Sequence, residues 1–141
     1  MLKFLLPVDG SEISNKAVAE FIKLFDWYKE TPEIHLLNVQ PPQRGNVARF
    51  IDKESIDLYH QEEGLKLLQP ARTLLDRAGI VCRFHITVGN PEEMIVRYAK
   101  MMDCDQIVIG PRGLGTVQGL LLGSVASKVM QLSTLPVLLI K

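Results

Sequence analysis

Two rhythms of apolar positions take turns along this chain, a short run or alternation typical of strands and a longer pattern at helical spacing. Residues 2–8 (LKFLLPV) are nearly unbroken in apolar character, as in a strand covered on both faces. Pro7 cannot donate to a sheet ladder, so it belongs near the carboxyl end, where the strand leaves the sheet. Asp9, Gly10 and Ser11 make a tight turn, with Glu12 in the first turn of a helix. Along that helix Ser14, Val18, Phe21, Ile22, Phe25 and Tyr28 form one face, and Pro32 closes the segment. Residues 34–39 (IHLLNV) read as a second strand and QPPQRGN as a loop. Helical spacing returns from about Ile51 to Ala78 through Ile56, Tyr59, Leu65, Leu68, Ala71, Leu74 and Leu75. Pro70 is expected to kink or split this helix, and Gly79 to end it.

Residues 82–88 alternate, with Cys82, Phe84, Ile86 and Val88 on one side and Arg83, His85 and Thr87 on the other, which predicts an edge strand. Gly89, Asn90, Pro91, Glu92 and Glu93 then spell a helix start: Asn90 as cap, Pro91 at the first helical position, carboxylates at the positive end of the dipole. Met94, Ile95, Tyr98, Ala99 and Met102 line the buried face of that helix. A fourth strand spans residues 106–109, a last helix residues 124–132, and a final strand (VLLI) follows Pro136. This β-α-β-α-β-α-β-α-β order predicts an α/β fold, a doubly wound five-stranded parallel sheet with helices on both faces. Ligands of such sheets sit beyond the carboxyl ends of the strands, where the strand order reverses. If the first and fourth strands are neighbours there, Asp9 and the loop after Gly110 share one crevice.

Composition narrows the function classes. At 141 residues the chain is expected to form one domain, residues 1–141, without needing a disulfide or metal to fold. Sixteen basic residues balance sixteen acidic ones with no block of one sign, which argues against nucleic-acid and anionic-membrane partners. Cys82 and Cys104 have no metal-ligand spacing and read as two buried, reduced thiols. The start MLKFLLPVDG is too short in apolar residues for a signal peptide, and no run approaches a membrane span, so a cytoplasmic location is expected.

The chemistry concentrates in GPRGLGTVQGLLLGS, between Gly110 and Ser124, which holds five of the ten glycines. Such density costs conformational entropy, and a glycine loop that leaves a strand and opens a helix exposes backbone N–H groups to an anion. Ser124 can cap the helix or present its hydroxyl and N–H to that anion. The loop is not a P-loop, because Gly123 and Ser124 are followed by Val125 without the lysine. No G-x-G-x-x-G follows the first strand, and no G-x-S-x-G is present. His35, His60 and His85 lack the spacing of a metal pair and read as structural. Competing readings stand beside each candidate: Asp9 as a turn former, Arg112 as a solvated loop residue, Lys128 as solvent-facing, Val39 as core.

Gly110, Gly113, nine further residues, Gly123 and Ser124 match without a gap the Gly-x-x-Gly, nine residues, Gly-Ser pattern of nucleotide-binding universal stress proteins, which the chain resembles over its whole length. Pro7, Val8, Asp9 and Ser11 at the end of the first strand, and Gly89, Asn90 and Pro91, are similar to that family too. The resemblance implies an ATP site with Mg or Mn. Gly110 and Gly113 would lie along the phosphates, Gly123 would admit close backbone approach, and Ser124 would contact a phosphate, with Arg112 and Val125 beside them. Asp9 would sit near the ribose or help hold a nucleotide-bound cation. Val39 would offer backbone contacts to adenine, bordered by Pro7 and Val8. The implied function is a stress-response regulatory or sensor module that is not primarily an enzyme. A slow ATPase or phosphotransferase, and an interaction protein without nucleotide, are the alternatives. A homodimer through Val137, Leu138, Leu139 and Ile140 is also implied. The apolar segment LGTVQGLLL reads as a lid over the ligand or a contact to the second subunit.

Overall fold

The computed structural model describes residues 1–43, 51–111 and 122–141. Strand β1 (Lys3–Pro7) leads to α1 (Glu12–Lys23) and a 3-10 turn (Phe25–Trp27). Then come β2 (Glu33–Gln40), α2 (Lys53–Arg77), β3 (Cys82–Val88), α3 (Pro91–Met101), β4 (Gln106–Ile109), α4 (Ser124–Leu132) and β5 (Val137–Leu139). All strand pairs are parallel, in the order β3-β2-β1-β4-β5. The expected doubly wound sheet is therefore present, with β3 at one edge as its alternation predicts.

Two apolar layers hold it together, one on each face of the sheet. Phe4, Leu6, Val8, Ile34 and Leu36 pack against Ala17, Val18 and Phe21 of α1 and Leu68, Ala71 and Leu75 of α2. Leu5, Leu37, Ile107 and Ile109 pack against Ile95 and Ala99 of α3 and Ala126 and Val129 of α4. Alternate residues of the central strands thus serve opposite layers, and burial on both faces explains their continuous apolar runs. Pro7 is the last residue of β1, aligned with Leu37, where its missing donor costs least.

Helix ends follow the local chemistry. Gly79, at φ +73, closes α2 with its N–H on the Asp76 carbonyl at 3.0 Å and that of Ile80 on Leu75 at 2.9 Å. Asn90 caps α3 by accepting from the Glu93 N–H at 3.2 Å.

Several expectations need correction. Pro70 does not split α2, which runs as one helix from Lys53 to Arg77. Pro70 and Lys66, whose carbonyl loses its partner, are both solvent-exposed, where water can satisfy the orphaned group. The buried stripe of α2 is His60, Gly64, Leu68, Ala71 and Leu75, while Tyr59 and Leu65 face outward. A β-carbon on Gly64 would come within 2.7 Å of Ile86, so glycine lets the helix seat closely on β3. Helix α1 stops at Lys23, and the 3-10 turn rather than the helix carries Phe25. Phe25 still packs edge-to-face on Phe21 at 5.2 Å, and Tyr28 lies tilted against Phe4 at 5.2 Å. Cys104 is buried but Cys82 is only half-buried, because β3 lies at the edge; both thiols are unpaired. Gln40 belongs to β2 rather than to the loop, and residues 44–46 of that predicted loop lie outside the described residues.

Candidate nucleotide site at the strand-order reversal

Strand order reverses between β1 and β4, which pair through Phe4 with Gln106 and Leu5 with Ile107. The turn after Pro7 and the chain after Ile109 therefore leave the sheet side by side, at the place where doubly wound sheets take ligands.

The β1 side is built on a turn. Asp9 Oδ1 accepts the Ser11 N–H at 2.9 Å, the Ser14 hydroxyl accepts the Asp9 N–H at 3.3 Å, and Ser11 Oγ caps α1 by accepting from Ser14 N–H at 3.1 Å. The turn-forming use of Asp9 is thus present, with the carboxylate at the amino end of α1. Gly10 sits at φ +88, and a β-carbon there would lie 2.5 Å from Leu67 Cδ2, so the turn packs hard against α2.

The β4 side is built on a helix end. Gly110 and Pro111 are buried, and the Gly123 N–H donates to the Pro111 carbonyl at 2.7 Å, which fastens the two ends of the glycine loop together. Gly123 is the N-cap of α4, at φ −76 and ψ 169, so Ser124 is the first helical residue. Its hydroxyl does not cap the helix, because a cap residue must precede the first helical turn and Gly123 holds that place. Ser124 is exposed, and the Val125 side chain packs into the layer under α4.

Helix α4 differs from the other three in charge and capping. Ser11, Asp52 and Asn90 cap α1, α2 and α3 with side-chain oxygens, and Glu12, Glu54, Glu92 and Glu93 occupy those first turns. Among the described residues α4 has no side-chain cap, and its first turn carries no acid. Among the described residues no side chain accepts from its first N–H groups, and these, with the positive end of its dipole, suit an anion. Arg112, Gly113 and residues 114–121 of the apolar segment lie outside the described residues.

A buried polar chain beneath the β1 side escaped the sequence reading. Asn38 Nδ2 donates to the Val8 carbonyl at 2.9 Å, Gln40 Nε2 donates to Asn38 Oδ1 at 2.7 Å, and Gln40 Oε1 lies 3.3 Å from His60 Nδ1. Asn38, Gln40 and His60 are 1%, 3% and 3% exposed. The chain fixes the Val8 carbonyl and ties the ends of β1, β2 and α2 together. Its sequence signal is two amides two residues apart in LLNVQ, on one face of an otherwise apolar strand. Val39, between them, is half-buried and faces the opposite layer. His60 is structural in this sense, although its Nε2 is buried without a hydrogen-bond partner among the described residues.

Residues 1–141 match the family model of the universal stress protein family. The chain belongs to this family. It is 31% identical over 147 aligned residues to Universal stress protein YxiE of Bacillus subtilis, covering 99% of this chain and 98% of that one. The solved structure of Universal stress protein MJ0577 of Methanocaldococcus jannaschii superposes with a TM-score of 0.82 at 29% identity, covering 99% of this chain and 94% of that one. A family member from Arabidopsis thaliana with AMP bound shares the fold, at a TM-score of 0.71 and 23% identity, over 100% of this chain and 92% of that one.

Proposed function

We propose that this universal stress protein binds ATP, with Mg²⁺ or Mn²⁺ carried on the phosphates, in the crevice between the ends of β1 and β4, and acts as a regulatory module in a stress response. The observation that carries this reading is the uncapped, acid-free start of α4, which follows the glycine motif at the strand-order reversal. Family membership and the AMP bound by the Arabidopsis relative support a nucleotide as the anion. In this reading Gly110, Gly113, Gly123, Ser124 and the Val125 N–H line the phosphates, with Arg112 as their cation. Asp9 faces the ribose or the metal, and Pro7, Val8 and Val39 border the base. Among the described residues no group of three His, Cys, Asp or Glu side chains could hold a metal. In this reading the divalent cation is held mainly by phosphate oxygens and water, with Asp9 acting indirectly.

Two chains would pair along β5. It is a sheet-edge strand whose Val137, Leu138 and Leu139 are half-buried within one chain, and an apolar edge needs covering.

The test is the nucleotide content of purified protein. Denaturation is expected to release an adenine nucleotide from wild type and none from Gly123→Leu. Gly123 has an ordinary negative φ, so the substitution leaves the backbone unstrained. Release as ATP fits the regulatory reading, whereas steady conversion to ADP would move the chain to slow hydrolysis. Protein that is empty, and stays unliganded at millimolar Mg-ATP, would refute the proposal.

A further inference from the structure

Away from the crevice, on the face covered by α3 and α4, two histidines touch across β2 and β3. His35 Nδ1 lies 2.9 Å from His85 Nε2, and the rings are stacked at 5.2 Å with an interplanar angle of 11°. His35 is 4% exposed. On its far side, His35 Nε2 is 3.2 Å from Glu33 Oε1, near enough for an ion pair though off the line of a hydrogen bond, and Arg83 Nε reaches the same oxygen at 3.5 Å. The His85 ring packs against Tyr98 of α3 at 5.9 Å. The charged and titratable groups around the pair are therefore Glu33 on β2, Arg83 on β3, Tyr98 on α3, and Lys3 on β1, the register partner of Glu33.

Two imidazole nitrogens at this separation need one proton between them. In the neutral pair one ring donates and the other accepts. A first added proton can leave the N–H···N bond intact, because one of the two facing nitrogens still serves as the acceptor. A second proton places N–H groups on both facing nitrogens, and the contact cannot hold.

We propose that His35 and His85 form a proton-operated latch that clamps edge strand β3 and helix α3 to the sheet, closed with none or one added proton and forced open by the second. Among the described residues strand β3 pairs only with β2, so it can detach while β2-β1-β4-β5 stays intact. The His85 pKa is lowered, first by burial, then by His35 and Arg83, in agreement with a second proton that is resisted. Such a depressed group makes its full contribution to stability above the unfolded value of 6.5, and that contribution is lost as pH falls from there through the lower folded value. The latch does not depend on nucleotide binding.

The test combines backbone hydrogen exchange, corrected for intrinsic rates, with imidazole ¹⁵N spectra between pH 8 and pH 4.5. The wild type is expected to show one shared N–H···N proton near neutrality. On acidification β3 amides should lose protection about tenfold per pH unit through the second step, with β1 and β4 unaffected. His85→Gln, which keeps a neutral donor beside His35, should flatten the acid slope of the urea midpoint. If that variant fails to fold, the wild-type spectra decide alone. Absence of the shared proton, β3 protection that outlasts both titrations, or equal acid slopes in wild type and a folded His85→Gln would overturn the proposal.

Discussion

Replacing Asn38 with alanine tests the buried polar chain that holds the floor of the crevice. Among the described residues the Asn38 side chain makes two hydrogen bonds, one to the Val8 carbonyl at 2.9 Å and one from Gln40 Nε2 at 2.7 Å, and both partners are buried, with Val8 2% exposed and Gln40 3%. Truncation strands both groups, at about 1–3 kcal/mol each. The small cavity left behind adds to this, and a water entering it can offset part. A net loss of about 3 kcal/mol is expected, which for a chain of this size lowers Tm by roughly 10 °C. Urea unfolding should show a lower midpoint at unchanged slope. Because the Val8 carbonyl loses its tether beside the Asp9 turn, nucleotide affinity should fall as well, by more than it falls in a control such as Lys128→Ala on the exposed face of α4. A midpoint shift worth less than about 1 kcal/mol would refute the claim that this chain fastens β1 to β2.

Gly10→Ala should destabilise by about 2 kcal/mol or more in denaturant titrations, since φ +88 and the 2.5 Å approach to Leu67 both oppose a β-carbon. Asp103 occupies the left-handed position after α3 at φ 52, so Asp103→Gly should raise stability by about 0.5–1 kcal/mol in the same assay. The Cys104 thiol is pushed up to about 11, chiefly by burial, and should resist iodoacetamide at pH 8 in the folded protein while reacting readily in urea. Cys82, half-buried at the edge, should be modified first despite its own raised pKa.

Local chemistry carried much of the fold. The apolar runs of residues 2–8 and 106–109, the alternation after Cys82, and the signals at Gly79 and Asn90 each depend on neighbours close in sequence. Where the reading went astray, partners distant in the chain decided the outcome. The stripe of α2 passes through His60 and Gly64, which no count of apolar residues selects. Gly64 is buried because Ile86 lies against it, and His60 because Gln40 does. Phe25 and Tyr28 keep helical spacing, yet the helix ends before them and the aromatic cluster around Phe21 holds them in place. At the site, the glycine spacing pointed to the carboxyl end of β4, and the strand order sets β1 beside it. The role of Ser124 depended on a distinction of one residue, between cap and first helical position, that spacing alone does not make. The pairing of His35 with His85 likewise required the β2-β3 register, which aligns Leu37 with His85 and leaves His35 on the diagonal.

The central claim, that the crevice between β1 and β4 holds ATP, is tested most directly by thermal unfolding of nucleotide-free protein with and without Mg-ATP. Ligand at 1,000 times its dissociation constant should stabilise by about 4 kcal/mol, a shift of roughly 13 °C for a chain of this size. The shift should be present in wild type and abolished in Gly123→Leu. An unchanged Tm at millimolar Mg-ATP, or the same shift in Gly123→Leu, would contradict the account.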